Sequence, residues 1–353
     1  MIHYLTGRVQ RYTTQTFAHL LRRELGEALV PVAYESVFAR RGVAGAGRMP
    51  AVERMLAAVP PPVYAPLAGA SHPRLHWLHG RLAGARGAVD LAEVDLDRLK
   101  RTGGLFIFSD LERLSAVQGD AAAELANRLA ALGPGVRVLN HPARVMGRFE
   151  LLRSLHDAGR NAFNAHRLDQ SPRPGRFPVF VRIESDHTGA ASDLLHGQAE
   201  LDRYIADLRK HGTGCRHGKL AVEFLDTADG EGLYRKYSAY VVGDRVIARH
   251  LLLSDHWMLK LPDFDRHDLD AELRFLDENP HADELRDIAR HAGVDYGRID
   301  YGLHEGRVQV WEINTNPFLI SRKSFFMPER GESQRQICRQ LAEAIHAACP
   351  ATA

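Results

Sequence analysis

Two pairs of neighbouring β-strands, each joined by a short turn that contains glycine, constrain this fold more than any other feature of the sequence. The first pair spans residues 233–242 and 245–253 around Gly243-Asp244, and the second spans residues 297–303 and 307–313 around Gly306. A glycine turn between two strand-like runs is a strong short-range signal for a β-hairpin. The C-terminal half of the chain is therefore expected to contain antiparallel sheet.

The first third of the chain predicts a different arrangement, in which short strands alternate with helices. The candidate strands are residues 2–6, 29–34, 105–109 and 136–140, and the candidate helices between them include residues 16–25 and 119–132. The stiff segment Pro60-Pro61-Pro62 interrupts this region. Strands that alternate with helices are typical of a mostly parallel sheet covered by helices.

The pattern changes after residue 139, where helices and strands no longer alternate regularly. Helices are predicted at residues 144–158, 199–211, 267–292 and 332–348, and further strands at 177–183 and 220–225. We therefore predict an α/β plus α+β fold class. It comprises an N-terminal parallel α/β domain at residues 1–139 and two α+β lobes at residues 140–222 and 223–353.

Composition narrows the class of protein. The 353-residue chain has a net charge of +2, three widely separated cysteines and an N-terminus that turns charged within its first eight residues. No apolar run approaches the roughly 20 residues that span a bilayer. These features favour a soluble cytoplasmic protein and give no case for a nucleic-acid partner, a membrane or a disulfide framework. Only six of the 46 basic residues are lysines, so a site that needs a cation must use one of these six or an arginine.

The second hairpin carries oxygen ligands where a strand usually has β-branched residues. Glu312 and Asn314 share a strand face because side chains alternate with a period of two. With Asp300 they would form a set that suits Mg²⁺, which takes one or two carboxylates together with substrate phosphates. Chance carboxylates on a solvated hairpin are the alternative.

Whether Asp300 lies on the same face as Glu312 depends on the turn. A two-residue turn, Glu305-Gly306, would pair Asp300 with Trp311 and place it on the opposite face. A three-residue turn, His304–Gly306, would place it on the same face. We favour the three-residue turn, because Gly306 adopts a left-handed conformation easily whereas Glu305 would be strained there.

The first hairpin supplies cations. Lys236 shares a face with Tyr234, Ser238 and Tyr240, whereas Arg235 points the other way. A cation that faces two carboxylates across a cleft is what a nucleoside triphosphate with a metal requires. For Arg235 we favour an exposed, charge-balanced position.

Asp300 and Glu312-Ile313-Asn314, followed by Asn316-Pro317, resemble the C-terminal metal motif of the ATP-grasp superfamily of carboxylate–amine and carboxylate–thiol ligases, whose ATP-binding fold is of the glutathione synthetase type. Three other segments are similar to parts of that family in the same order: residues 137–159 to the opening of its central lobe, 177–190 to the strand and loop over the phosphates, and 222–227 to the hinge strand. The resemblance covers residues 137–320. It implies an ATP-grasp fold whose two lobes sandwich ATP.

The resemblance also implies ATP and Mg²⁺ as cofactors and assigns residues to them. The backbone of Glu223, Phe224 and Leu225 would contact adenine, Asp226 the ribose, and Lys236 the phosphates; Asp300, Glu312 and Asn314 would hold the metal. Arg148 and Arg182 stand where the family has lysines that contact the phosphates. The loop after residue 183 also carries the acids Glu184 and Asp186, whereas the family usually has small, neutral residues.

The activity implied is an ATP- and Mg²⁺-dependent ligase that joins a small-molecule or peptide carboxylate to an amine through an acylphosphate. Lys236 and Arg249 are the candidate catalytic residues, the latter for binding the carboxylate or acylphosphate. Two alternatives stay open: a degenerate ATP-grasp protein that binds nucleotide or a partner without turnover, and an ATP-grasp kinase. A homodimer is a default expectation. The histidines at 72, 76 and 79 have the helical spacing of a zinc site, although chance clustering is favoured.

Overall fold

The computed structural model describes residues 2–6, 29–33, 103–187, 189–210, 218–259, 268–317 and 328–351. The helix predicted at residues 16–25, the proline break at 60–62, the histidines at 72, 76 and 79, and Cys215 lie outside the described residues. The chain divides into two compact units. The first comprises residues 1–144, 295–297 and 315–353, and the second comprises residues 145–294 and 298–314.

The first unit contains a four-stranded parallel sheet. Its strands are β1 (Ile2–Thr6), β2 (Leu29–Ala33), β3 (Gly104–Phe108) and β4 (Val136–Leu139), in the order β2-β1-β3-β4. Helix α1 (Ala116–Ala130) begins at a capping box formed by Ser115 and Gln118, and it packs Leu125 and Leu129 against Phe106 and Phe108. The helix-covered parallel sheet predicted for the first third of the chain is confirmed.

Asn140 joins separate segments of this first unit. Its backbone has a positive φ of 58°, and its side-chain amide donates to the carbonyls of Phe108 and Tyr296. Its side-chain oxygen accepts from the backbone N–H groups of Asp295 and Tyr296. Because every polar atom of this buried amide has a partner, Asn140 fixes the chain at the end of β4.

The second unit contains a small antiparallel sheet and a larger sheet built from the two predicted hairpins. The small sheet has the order β5-β7-β6, with β5 (Ala165–Arg167), β6 (Val179–Ile183) and β7 (Lys219–Glu223). Helix α3 (Gln198–Lys210) covers it with Leu201 and Ile205. Helix α2 (Arg148–Asp157) contacts both sheets, because Leu152 packs with the small sheet while Leu151 and Leu155 pack with the larger one.

The larger sheet has the order β11-β10-β8-β9. Its strands are β8 (Tyr234–Val242), β9 (Arg245–Ser254), β10 (Tyr296–His304) and β11 (Arg307–Asn314). One face packs against α4 (Leu269–Glu278) and α5 (Ala282–His291) through a core that includes Ile299, Tyr301 and Val310. The other face is therefore left to form a site.

The turn between β10 and β11 differs from the three-residue turn that we favoured. His304 pairs with Arg307, so the turn has two residues, Glu305 and Gly306, with positive φ values of 52° and 74°. Positive φ at both central positions is the geometry of the turns that suit the strand twist of hairpins. Glu305 therefore adopts the left-handed conformation in which we expected it to be strained.

A β-bulge nevertheless brings the two carboxylates together. Tyr301 pairs with Val310 and Asp300 pairs with Glu312, so Trp311 is an extra residue in β11. The predicted common face is confirmed, but its cause is the bulge rather than the turn. A second bulge makes Arg249 the extra residue of β9, because Ser238 pairs with His250 and Ala239 with Ala248. Bulges of this kind redirect side chains and often lie beside functional sites.

The helix predicted at residues 267–292 is two helices, α4 and α5. Asn279 ends α4 in a left-handed conformation and Pro280 follows it. The C-terminal helix, α6 (Pro328–Ala348), begins four residues earlier than predicted. The predicted boundaries of the three domains stay predictions.

The helices in the described part of the chain include none that is both long and apolar enough to cross a membrane. The cytoplasmic location, the homodimer and the absence of a nucleic-acid partner stay predictions. Cys338 and Cys349 are present as thiols and not as disulfide partners.

Candidate functional site

A cavity of about 470 Å³ lies within the second unit, lined by residues of both of its sheets. This is the size range of small-molecule and cofactor sites. One end of the cavity is apolar and aromatic, and the other carries charged side chains. The apolar lining residues are Leu152, Phe163, Phe180, Val222, Phe224, Leu225, Trp257, Met258, Leu259 and Trp311.

Trp257 packs against two other aromatic rings at the apolar end. Its ring lies 5.0 Å from that of Phe180 and 5.6 Å from that of Phe224, the latter in an edge-to-face arrangement. The N–H of Phe224 donates to the carbonyl of Pro178. The N–H of Leu225 has no acceptor among the described residues, and Leu225 lines the cavity. The apolar end can therefore offer a flat ligand both aromatic contact and a backbone donor.

Asp300 is the most deeply buried acid at the charged end of the cavity. Arg298, which lies two residues before it on the same face of β10, holds its carboxylate through two bonds of 2.7 and 3.0 Å. The ammonium of Lys236 lies 2.8 Å from the same carboxylate. Burial alone would raise the pKa of Asp300, but Arg298 and Lys236 outweigh it and the pKa is lowered.

Glu312 is bound by two guanidinium groups. Arg182 on β6 donates to its Oε2 atom over 2.8 Å, and Arg148 donates to the same oxygen. The Nδ1 atom of His187 lies 3.6 Å from its other oxygen. Burial opposes ionisation, but the neighbouring His187 and the charges of Arg182 and Arg148 hold the pKa of Glu312 well below its usual value.

Among the described residues, four cations surround the two carboxylates of the charged end. Arg148, Arg182, Lys236 and Arg298 each pair with Asp300 or Glu312. Glu184, one of the acids that we noted in the loop after β6, is turned to Arg167 over 2.7 Å. A partly enclosed pocket with several cationic donors is suited to an anion with several oxygens.

The structure brings most of the predicted binding residues together. Arg182, Glu223, Phe224, Leu225, Lys236, Asp300 and Glu312 all line the cavity. Arg235 points away and pairs with Asp229 over 2.8 Å, as expected for a charge-balanced position.

Four predicted residues are not among those that line the cavity, namely Arg148, Asp226, Arg249 and Asn314. Asp226 accepts from the N–H of Ala228 and so stabilises its own turn. Arg249 is buried on β9, where its Nε atom donates to the hydroxyl of Tyr240 over 3.1 Å. Asn314 is buried at the end of β11, opposite Arg298. The carboxylate of Glu223, whose backbone we assigned to adenine, binds the N–H groups of Asn164 and Gly175.

Of the cavity residues that the sequence did not identify, three carry polar or aromatic chemistry that the argument uses: Arg298, His187 and Trp257. Arg298 could have been found, because the two-residue period that groups Glu312 with Asn314 also groups Arg298 with Asp300. For His187 and Trp257 the sequence offers no comparable signal, since both lie outside regular strands and helices.

The oxygen donors fit Mg²⁺ only together with an anionic ligand. Asp300 and Glu312 have suitable chemistry, but each is already neutralised by two cations. The described residues contain no cluster of three or more acidic, histidine or cysteine side chains that could hold a metal ion. Phosphate oxygens would supply the missing ligands, which is how proteins commonly bind Mg²⁺.

No family model matches the chain, and no curated protein matches its sequence. Solved structures do match. D-alanine–D-alanine ligase from Bacillus anthracis has a TM-score of 0.48 and 11% identity over 99% of this chain and 96% of its own. A RimK domain ATP-grasp protein from Sphaerobacter thermophilus has a TM-score of 0.46 and 13% identity over 98% of this chain and 99% of its own. An L-amino acid ligase from Bacillus licheniformis has a TM-score of 0.42 and 13% identity, and covers 89% of this chain and 66% of its own.

Two of these structures are named as ligases, and the third is described as an ATP-grasp protein. The mixed α/β architecture predicted from the sequence, with parallel and antiparallel sheets, is confirmed by the strand pairing itself.

Proposed function

We propose that this protein is an ATP-dependent ligase of the ATP-grasp type, which joins a carboxylate to an amine through an acylphosphate. One observation carries the proposal: one cavity has an aromatic end, where the N–H of Leu225 has no acceptor among the described residues, and a basic end, where Arg182, Lys236 and Arg298 line the wall. A nucleoside triphosphate has the matching polarity, with a flat base at one end and several negative oxygens at the other. The motif order of the sequence, from residue 137 to residue 320, supports the same function.

In this proposal adenine lies against Trp257 and Phe224 and accepts a hydrogen bond from the N–H of Leu225. Asp226 remains the candidate for the ribose hydroxyls. Arg182, Lys236 and Arg298 bind the phosphates, because they are the cations that line the basic end. Asp300 and Glu312, with Asn314, would hold Mg²⁺ that enters with the phosphates. When bound, the ion would neutralise charge on the phosphate oxygens.

The reaction depends on positioning the reactants and neutralising their charge more than on a general base. An oxygen of the substrate carboxylate attacks the γ-phosphorus of ATP, and the bond to ADP breaks. The amine then attacks the acyl carbon, loses a proton, and releases phosphate that contains one oxygen of the former carboxylate. Lys236 and Arg298 are placed to stabilise the transferred phosphoryl group. Arg249, beside Tyr240, is the candidate for binding the carboxylate or the acylphosphate.

Nucleotide binding is the first test. Trp257 and Trp311 line the cavity, so ATP should change the intrinsic fluorescence, and titration calorimetry should give the affinity. With Mg²⁺ present, Glu312→Gln should weaken ATP binding roughly tenfold or more, by loss of a metal ligand and a charge-assisted contact. Glu332→Gln, at an exposed glutamate of α6, is the matched control. If the wild-type protein does not bind ATP, the proposal is wrong.

The fate of the carboxylate oxygen distinguishes the candidate activities. A ligase should release ADP only when a carboxylate and an amine are both present. It should also transfer ¹⁸O from a labelled carboxylate to inorganic phosphate. A stable phosphorylated product without an amine requirement would identify a kinase. ATP binding without release of ADP, across panels of carboxylates and amines, would favour a binding protein.

A further inference from the structure

The loop after β6, residues 184–187, is attached to the first residue of α2. One terminal nitrogen of Arg148 donates to three backbone carbonyls: those of Ile183 at 3.0 Å, Glu184 at 2.5 Å and Asp186 at 2.7 Å. The other terminal nitrogen contacts His187 Nδ1 at 3.2 Å and the carboxylate of Glu312. A single guanidinium therefore connects the loop to the basic end of the cavity.

This loop forms part of the wall of the cavity. His187 lines the cavity, and so does Gly189, two residues further along the chain. Other contacts also hold the loop: Arg167 binds the side chain of Glu184, the N–H of Glu184 donates to the carbonyl of Gly218 over 2.7 Å, and a terminal nitrogen of Arg182 donates to the carbonyl of Asp186 over 3.5 Å. Arg182 and His187 also contact Glu312. Arg148 makes the most extensive link, because it donates to three carbonyls of the loop region and to this candidate phosphate- and metal-binding carboxylate.

The contacts of Arg148 require arginine. Its two terminal nitrogens carry four N–H groups and already contact four acceptor oxygens, on side chain and backbone, together with the Nδ1 atom of His187. Lysine has three N–H groups on one nitrogen and cannot span acceptors on two sides in a plane. Arg148 is also 6% exposed, so these donors cannot exchange freely with water. In this arrangement the terminal nitrogens of Arg148 are occupied by the loop, His187 and Glu312, and its buried Nε–H is the donor without a partner among the described residues.

We propose that Arg148 is a positioning residue: it holds loop 184–187 against Glu312 and thereby shapes the basic end of the cavity, rather than contacting the nucleotide. This differs from the role that the sequence resemblance implied, that of a phosphate-binding cation. It gives arginine at this position a purpose that lysine could not serve. The proposal builds on the proposed ATP site, but the loop contact itself exists without nucleotide.

Hydrogen exchange of the full-length protein without nucleotide tests the contact directly. The amide of Glu184 is the probe, because opening the loop breaks its bond to Gly218. We expect Arg148→Lys and Arg148→Met to accelerate exchange across residues 184–187 by roughly tenfold, the effect of losing a charge-assisted contact. Exchange at Val181 of β6, within the small sheet, should not change. Lys236→Met is the control, because among the described residues Lys236 pairs with Asp300, so the substitution removes a charge from the same cavity but no recorded contact of the loop.

Titration with ATP then separates the two roles. If Arg148 positions the loop, Arg148→Lys should weaken ATP binding about as much as Arg148→Met, although lysine keeps the charge. If Arg148→Lys binds ATP normally, or if either variant loses ATP affinity while its loop exchange is unchanged, Arg148 is a direct phosphate ligand and the proposal is wrong. Equal acceleration in Lys236→Met would also overturn it. Should wild-type protein not bind ATP, the exchange result still decides whether Arg148 holds the loop.

Discussion

Asp300 and Glu312 stand directly opposite each other in the ladder between β10 and β11. Like charges at such positions are destabilising unless they are compensated. Here compensation comes from different directions: Arg298 and Lys236, both of the larger sheet, bind Asp300, while Arg182 of the small sheet binds Glu312. The two carboxylates are thus held ionised and adjacent, next to an aromatic pocket.

Removal of the Asp300 charge should destabilise the fold. Asp300→Asn keeps the size of the side chain but removes the buried carboxylate that Arg298 and Lys236 share. Breaking a buried ion pair at one partner costs about 3 to 5 kcal/mol. Urea denaturation monitored by tryptophan fluorescence would measure the change in the free energy of unfolding. Asp157→Asn, at an exposed pair with Arg153, should have no measurable effect.

Stability should fall at acid pH through the same carboxylates. Because the pKa values of Asp300 and Glu312 are lowered in the folded state, the unfolded chain binds more protons as the pH falls. Their contribution is complete above the ordinary carboxyl range and is lost as the pH falls through the lower folded values, that is, below about pH 4. The difference in unfolding free energy between the wild type and Asp300→Asn should therefore shrink between about pH 5 and pH 3. A difference that grows on acidification would contradict the assignment.

Gly302 should not tolerate a side chain. A Cβ atom there would lie 2.6 Å from the ring of Trp311, the extra residue of the bulge. Gly302→Ala must displace this ring, which lines the cavity, at a cost of about 1 to 3 kcal/mol. We expect a lower free energy of unfolding, shifted tryptophan emission and weaker ATP binding. Gly197→Ala is the control, because a Cβ atom at Gly197 meets no atom within 4 Å. An unaltered emission spectrum in Gly302→Ala would show that Trp311 lies elsewhere.

The two-residue turn predicts a stabilising substitution. Glu305 has a φ of 52°, which costs an ordinary side chain roughly 1 kcal/mol and asparagine much less. Glu305→Asn would create the Asn-Gly pair that such turns prefer, so the free energy of unfolding should rise by roughly this amount. Glu305→Val should lower it. Thermal denaturation of the three proteins would rank them, and the reverse order would favour the three-residue turn.

The elements of the site could be predicted from the sequence, whereas their register could not. Both hairpins and the common face of Lys236 with Tyr234 follow from alternation and turn residues. The bulge at Trp311 does not, because whether a residue is paired or extra depends on packing between the sheet and its neighbours. The break between α4 and α5 was readable, since the dipeptide Asn279-Pro280 is a recognised signal for a turn.

The charged residues around Asp300 and Glu312 also divide into those that the sequence could place and those that it could not. Lys236 was placed correctly because one hairpin determines its face. Arg148 was expected at the phosphates, but its donors are taken by backbone carbonyls of the loop after β6. No pattern in the sequence specifies such contacts, because they join segments that are distant along the chain. Arg182 pairs with Glu312 across 130 positions of sequence for the same reason.

The extra residue in β11 has a consequence for comparing this hairpin with others. Val308, Val310, Glu312 and Asn314 are alternate residues and look like one stripe, yet the first two belong to the core and the last two face the opposite side. An alignment that matches this strand position by position from its turn with a hairpin that lacks the bulge would pair its carboxylate with a core position of that hairpin, or its valine with a site position. A one-residue gap at Trp311 removes the error. Alignments of this hairpin should therefore be fixed at Asp300 and Glu312, and extended outward from that pair.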